Sequence, residues 1–133
     1  MTYFLDNNIC IYTLKGKYPK IQVHMKSHVP SEISIPSIVL AELYYAAVKS
    51  TAREKVIQRL QELIAPLHIV AFDSRSAMIY STIRAELESM GRVIGSNDLV
   101  VAATTLGNGG ILVTHNVKEF SAVPGLRIED WTQ

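Results

Sequence analysis

Short apolar runs separated by longer amphipathic stretches set the rhythm of the chain. Thr2 to Leu5 is a strand-length apolar run ending on Asp6, and Asn7-Asn8 stand where a helix can open. Ile9 to Leu14 keeps a helix-compatible spacing until Lys15-Gly16-Lys17-Tyr18-Pro19 breaks it. Pro19 can start a second short helix through Ile21, Val23 and Met25. Ile33-Ser34-Ile35 alternates as a strand stopped by Pro36, and Ser37 suits the N-cap of a helix from Ile38 to Lys49. Leu40, Leu43, Tyr44 and Ala47 make the apolar stripe of that helix.

Further on, Thr51 with Glu54 reads as a capping box before a helix carrying Val56, Ile57, Leu60, Leu63 and Ile64, which Pro66 ends. Leu67 to Phe72 is a strand. Asp73 or Ser74 begins a long helix to about Met90, with Ala77, Tyr80, Ile83, Leu87 and Met90 on one stripe. Ser96 or Asn97 caps a Val- and Ala-rich helix through about Leu106. Gly107 to Gly110 turns the chain into the strand Ile111-Leu112-Val113, followed by Thr114-His115-Asn116. Val117 to Phe120 is one helical turn, and Leu126 to Ile128 a last strand before Trp131, which covers the core. Five short apolar strands alternating with helices predict an α/β fold, with a mostly parallel sheet buried on both faces.

Composition narrows this picture without redirecting it. The 133 residues fit a single domain, residues 1–133. Thirteen Lys and Arg against twelve Asp and Glu leave a formal charge of +1, so a polyanion-binding surface has to be local. One cysteine, Cys10, excludes an intrachain disulfide and a Cys-rich metal site, and its apolar setting predicts a buried small hydrophobe. No apolar run reaches the roughly 18 residues of a membrane helix and no signal segment opens the chain, so the expectation is a cytoplasmic protein with no membrane partner. GxGxxG after the first strand, GxxxxGK[ST] and GxSxG are all missing, which removes support for dinucleotide, P-loop and hydrolase-elbow sites.

Candidate chemistry gathers at the element ends. Asp6 follows a strand and Asp98 falls in the first turn of a helix, where the macrodipole alone can account for a carboxylate. Glu42 lies on a largely apolar helix side with Val39, Tyr45 and Ala46, and there it needs a partner, a cation or a wet cleft. Asn116 lies beyond a later strand, with Glu119 three residues on. Hard oxygen groups on a cleft rim suit Mg²⁺ or Mn²⁺, and a divalent ion would offset the repulsion of gathered carboxylates. Spacing alone leaves their convergence open.

The segments Tyr3-Phe4-Leu5-Asp6-Asn7-Asn8-Ile9-Cys10-Ile11-Tyr12, Ile35-Pro36-Ser37-Ile38-Val39-Leu40-Ala41-Glu42-Leu43 and Ile83-Arg84-Ala85-Glu86-Leu87 resemble PIN-domain proteins, specifically VapC-type toxins of bacterial toxin–antitoxin systems. So do Ile94-Gly95-Ser96-Asn97-Asp98-Leu99-Val100-Val101-Ala102-Ala103, Leu112 to Phe120 and Val123 to Trp131, in the same order. The resemblance implies a PIN-like three-layer fold, with a central five-stranded sheet flanked by helices on both faces. It implies that Asp6, Glu42 and Asp98 are acidic metal ligands and that Asn116 stands at the fourth polar position of the site. Glu119 matches the acid before the family's phenylalanine, and Asn7 stands where the family usually has threonine. Asn8, Ser96, Asn97, Thr114 and His115 are supporting candidates. Lys15, Lys17, Lys20, Arg84 and Arg92 are candidate RNA contacts.

The implied activity is Mg²⁺-dependent hydrolysis of RNA phosphodiester bonds, with Mn²⁺ as an alternative ion and structured RNA such as tRNA as target. The implied partners are a VapB-like antitoxin and a second copy of the chain in a homodimer. The competing expectation is a catalytically weak PIN domain serving as an RNA-binding or protein-interaction module. DNA-directed cleavage also stays open, because an acidic metal site reads neither sugar.

Overall fold

A computed structural model describes all 133 residues, Met1–Gln133. Strands β1 (Tyr3–Leu5), β2 (Ile33–Pro36), β3 (His68–Val70), β4 (Ile111–Val113) and β5 (Arg127–Glu129) form one sheet in the order β3-β2-β1-β4-β5. Every neighbouring pair is parallel, so the sheet expected to be mostly parallel is wholly so. Successive residues of a strand point to opposite faces, yet every residue of β1, β2 and β4 is buried. Both faces are therefore covered, by α1 (Asn7–Lys15), α2 (Pro19–Ser27), α3 (Ser37–Lys49), α4 (Arg53–Ile64), α5 (Ser74–Ser89), α6 (Ser96–Gly107) and the short α7 (Val117–Phe120).

The strand order places the site. From β1 the chain steps outward to β2 and β3, then returns across the sheet to β4 on the other side of β1. The connections thus diverge between β1 and β4, and beyond the carboxyl ends of those strands lies the crevice such sheets use for ligands. Asp6 stands directly after β1, and its N–H donates to Val113 O at the end of β4 (3.1 Å). The two strands are packed tightly at their other end as well. A Cβ on Gly110 would lie 2.4 Å from the ring of Phe4, so only glycine lets β4 start beside that buried side chain.

Several sequence expectations need correcting. Ser37 and Ser96 are the first helical residues, not caps; Pro36 and Gly95 hold the N-cap positions, and neither end has a side-chain cap. The expected Thr51 box is not formed either, since α4 starts at Arg53 after Ala52. Ser50 accepts the Ala52 N–H instead and holds the chain in a turn until the helix begins. Pro36 extends β2 rather than stopping it. The buried stripe of α5 is Ser76, Ile83 and Leu87, with Ala77 and Met90 exposed, because Ser76 tucks under Gly107 of α6. Asp73, Cys10 and Trp131 follow expectation: Asp73 caps α5 by accepting the Ser76 N–H (2.9 Å), and the other two are fully buried. Burial pushes the Cys10 thiol well up, which leaves it unreactive. No helix is long and apolar enough to cross a membrane.

Candidate active site

Asp6 is built into the fold from two sides. As N-cap of α1 its Oδ1 accepts the Ile9 N–H (3.0 Å), and its Oδ2 accepts the Thr114 hydroxyl (2.5 Å) from the residue after β4. Thr114 Oγ1 in turn accepts the Asn116 N–H (3.0 Å). One relay therefore fixes the carboxylate after β1, the hydroxyl after β4 and the backbone at Asn116. Asp6 is 6% exposed, and burial raises its pKa against the lowering effect of the Thr114 and Ile9 bonds. Asp130 and Glu42 add repulsion. Such a buried carboxylate is stable only because both oxygens are engaged.

The remaining acids come from separate helices. Glu42 is half-buried on α3, and Asp98 lies in the first turn of α6. Together with Asp6, Asn7, Asn8 and Asn116 they line a cleft of about 100 Å³, with Val101 and Phe120 as its apolar floor. Asn116 Nδ2 donates to Glu119 Oε2 (2.9 Å), holding that acid at the rim. Asp98 is pushed up to about 7, by burial first, then by its hydrogen bond to Glu119 and by the charges of Glu119, Glu42 and Asp6. Near neutral pH the metal-free chain therefore keeps Asp98 protonated for part of the time. One buried acceptor, Asn7 Oδ1, has no bond partner in the chain.

Asp6 after β1, Glu42 of α3 and Asp98 of α6 thus line one crevice, with Glu119 of α7 bonded at its rim. No three of them close into a ready ligand set on their own. The repulsion that raises Asp98 would yield to a cation. The donor set is entirely oxygen: carboxylates, two asparagine amides and the orphaned Asn7 carbonyl. It fits a small hard divalent ion, which needs few protein ligands and keeps several waters.

Other candidates fall elsewhere. Asn97 borders an adjoining groove with Asn7, Glu42 and Tyr45, whereas Ser96 lines neither space. His115 turns away from the cleft, its Nδ1 within 3.1 Å of Asp130 Oδ2 and 3.0 Å of Thr132 Oγ1. Arg84 and Arg92 line a separate groove with Glu88, Val93 and Leu99. Arg84 is engaged there by Tyr80 and Glu88, and neither it nor Arg92 lines the acids' cleft. Lys15 borders an apolar groove between α1, α3 and α4, and Lys17 and Lys20 are exposed around the start of α2. Sequence reasoning missed Asp130, whose charge acts on Asp6, and the aromatic pair Tyr12 and Tyr18 beside His115. Only the register of β5 and the turn after α1 bring these residues in.

A PIN-domain family profile matches residues 3–126. The chain is 37% identical to Ribonuclease VapC2 of Rickettsia felis, over 98% of each chain. It is also 37% identical to the tRNA(fMet)-specific endonuclease VapC of Salmonella typhimurium, again over 98% of each. Among solved structures, VapBC2 from Rickettsia felis bound to a DNA fragment from its promoter superposes with a TM-score of 0.93, at 34% identity over 98% of this chain and 99% of the other.

Proposed function

The chain belongs to the PIN-domain family, and from that premise we propose that it is a divalent-metal-dependent endoribonuclease, the toxin of a toxin–antitoxin pair. The observation that carries this reading is the convergence of Asp6, Glu42, Asp98 and Asn116 on one cleft at the switch point of a parallel sheet. Asp6, Glu42 and Asp98 would hold the ion. Mg²⁺ is the ion proposed, with Mn²⁺ able to take its place, because the donors are hard oxygens with room for water. When bound, the cation supplies charge neutralisation and polarisation of the phosphoryl group.

The chain's own residues do the rest. The Ile9 N–H and the Thr114 hydroxyl keep Asp6 in one orientation, so its remaining lone pairs face the cleft without rotamer loss. Asn116 keeps Glu119 aimed at Asp98. Glu119, held beside Asp98 and outside the three proposed ligands, is placed to take a proton from the attacking water and return one to the leaving oxygen. The floor of Val101 and Phe120 keeps that exchange away from bulk water on one side.

The target would be a structured RNA, with tRNA favoured by the activity of the Salmonella relative. A VapB-like antitoxin is the proposed partner, by the pairing in the Rickettsia complex, with the toxin itself a homodimer. An antitoxin cation reaching the cleft would satisfy the carboxylates that otherwise hold metal. The reading is tested by cleavage of an RNA panel by the purified chain with Mg²⁺, with EDTA and as Asp6→Asn. Cleavage only by the unmodified chain with Mg²⁺ is expected; cleavage that survives EDTA or the substitution refutes the mechanism.

A further inference from the structure

Beside the acidic cleft the chain builds a second feature, which the cleavage chemistry does not use. Helix α1 ends at Gly16, whose left-handed φ of 68° caps the helix, and two residues later Tyr18 is also left-handed, at φ 53°. Tyr18 is the only non-glycine residue with positive φ in the chain. A bulky aromatic residue there carries strain of about 1–2 kcal/mol that glycine would not. The strained turn folds the Tyr18 ring back onto Tyr12 of α1, edge to face at 4.9 Å, and beside the His115 ring at 5.5 Å. Lys17 places Nζ 5.4 Å from the Tyr12 ring centre and 5.8 Å from that of Tyr18. None of Lys15, Lys17 and Lys20 forms an ion pair within the chain.

His115 is locked in place. Its Nδ1 is held by Asp130 and Thr132, Asp130 is itself bonded by the Thr132 N–H and hydroxyl, and Nε2 makes no bond within the chain. The cluster also sits next to the cleft. His115 lies between Thr114, which holds Asp6, and Asn116, which lines the cleft, and the Asp130 charge reaches Asp6.

We propose that Tyr18, Tyr12, Lys17 and His115 form a docking platform for single-stranded RNA next to the scissile phosphate. An unpaired base stacks on the exposed aromatic surface, and the unpaired lysines contact the adjoining backbone. Half-buried aromatic rings give the base a rigid π-face, and an ammonium held over those rings is placed for the neighbouring phosphate. A duplex, with its bases already stacked, has no free face to offer. The platform thus selects a loop or an unpaired end from a folded RNA, and it deepens the ribonuclease reading on which it rests.

The test measures binding separately from cleavage. The full chain carrying Asp98→Asn, which silences cleavage, is titrated in EDTA with a fluorescently labelled single-stranded oligoribonucleotide, and with a duplex of the same sequence. Adding Tyr18→Ala is expected to weaken single-strand binding about 5- to 100-fold, the range for loss of one base–aromatic stack, and to leave duplex binding unchanged. Tyr18→Phe should bind as the parent does. Lys17→Gln should lower the slope of log K against log salt by about 0.7, the value for one phosphate contact on a single strand. If Tyr18→Ala fails to fold, Tyr18→Gly, which accepts the left-handed backbone, takes its place in the same titration. Single-strand affinity and salt slope unchanged in the Tyr18 and Lys17 variants overturn the platform. If the unmodified chain still cleaves RNA in that case, the ribonuclease reading stands; absence of both binding and cleavage removes both.

Discussion

Replacing Asp98 by asparagine should abolish metal-dependent cleavage while making the metal-free protein more stable at alkaline pH. The folded-state pKa of Asp98, about 7, lies roughly three units above that of a free aspartate, so ionising the residue works against the fold. Below about pH 4 both folded and unfolded chains are protonated and nothing is lost. Between about pH 4 and pH 7 the folded chain binds more protons than the unfolded one, so stability falls as pH rises, and above pH 7 the loss is complete. Three units correspond to about 4 kcal/mol. Asp98 is only half-buried, and solvent screening reduces that to about 1–2 kcal/mol. Asparagine also forgoes the favourable helix-dipole interaction at the start of α6, about 0.5 kcal/mol, which leaves a net gain of about 1 kcal/mol.

For 133 residues the unfolding entropy is about 0.28 kcal/mol per kelvin, so the expected rise in Tm is about 4 °C. The assay is thermal unfolding followed by circular dichroism, in EDTA, from pH 5 to pH 8, for the unmodified chain and Asp98→Asn. The two should converge toward pH 5 and separate by pH 8, with the variant higher. Mg²⁺ added at pH 8 should raise the Tm of the unmodified chain and leave the variant where it was. Parallel pH curves, or a variant less stable at pH 8 without metal, would refute the claim that repulsion among these acids is stored in the fold.

Thr114→Val leaves Asp6 Oδ2 buried without its donor and should cost about 1–3 kcal/mol, a fall in Tm of about 4–10 °C, with Thr114→Ser restoring most of it. Gly110→Ala drives a methyl group into the Phe4 ring and should cost a similar 1–3 kcal/mol by chemical denaturation, with cleavage per folded molecule retained. Asn7→Ala removes a buried acceptor that has no partner, so metal-free stability should hold or rise slightly. Its Mn²⁺ affinity, followed by electron paramagnetic resonance without RNA, should fall about tenfold if that oxygen orients the bound ion's water shell.

What the sequence made legible were the features with local causes. Short apolar runs with acids or turn residues at their ends give β1, β2 and β4 and place Asp6 and Asn116 at carboxyl ends. The expected Leu67 to Phe72 strand, by contrast, shortens to His68–Val70, and the last strand falls one residue later, at Arg127–Glu129. Glu42 stood out as an acid on a side shared with Val39, Tyr45 and Ala46, but Tyr45 and Ala46 are exposed there. It is the cleft with Asp6 and Asp98 that gives Glu42 its partners. The caps at Ser37, Thr51 and Ser96 were misread because capping depends on the backbone angles of the flanking residue, which composition does not report. Arg84 on α5 and Arg92 just beyond it were candidate RNA contacts by charge alone, and they line a groove apart from the acids' cleft. Asp130 could not be found from Asp6, since only the pairing of β5 with β4 brings them near. The positive φ of Tyr18 has no signature beyond the Gly16 to Pro19 turn residues.

If the proposed platform holds RNA, the distribution of charge gives the cation and the aromatic turn separate tasks. With a net charge of +1 there is little long-range attraction for RNA, and the catalytic cleft itself is acidic and repels phosphate. Eight residue steps along α1 carry the chain from Asn7 at the cleft to Lys15, about 12 Å along the axis at 1.5 Å per residue. That exceeds the Debye length of about 8 Å at physiological ionic strength, so each field is screened where the other acts. On the proposed reading, substrate would be drawn to the lysine-bearing turn, where screening weakens the field of the carboxylates. Entry of the scissile phosphate waits on neutralisation of the cleft. Binding energy gathered on the turn can hold the strand there without relieving the repulsion among Asp6, Glu42, Asp98 and Glu119, and that repulsion is what tightens the cleft's hold on a divalent ion.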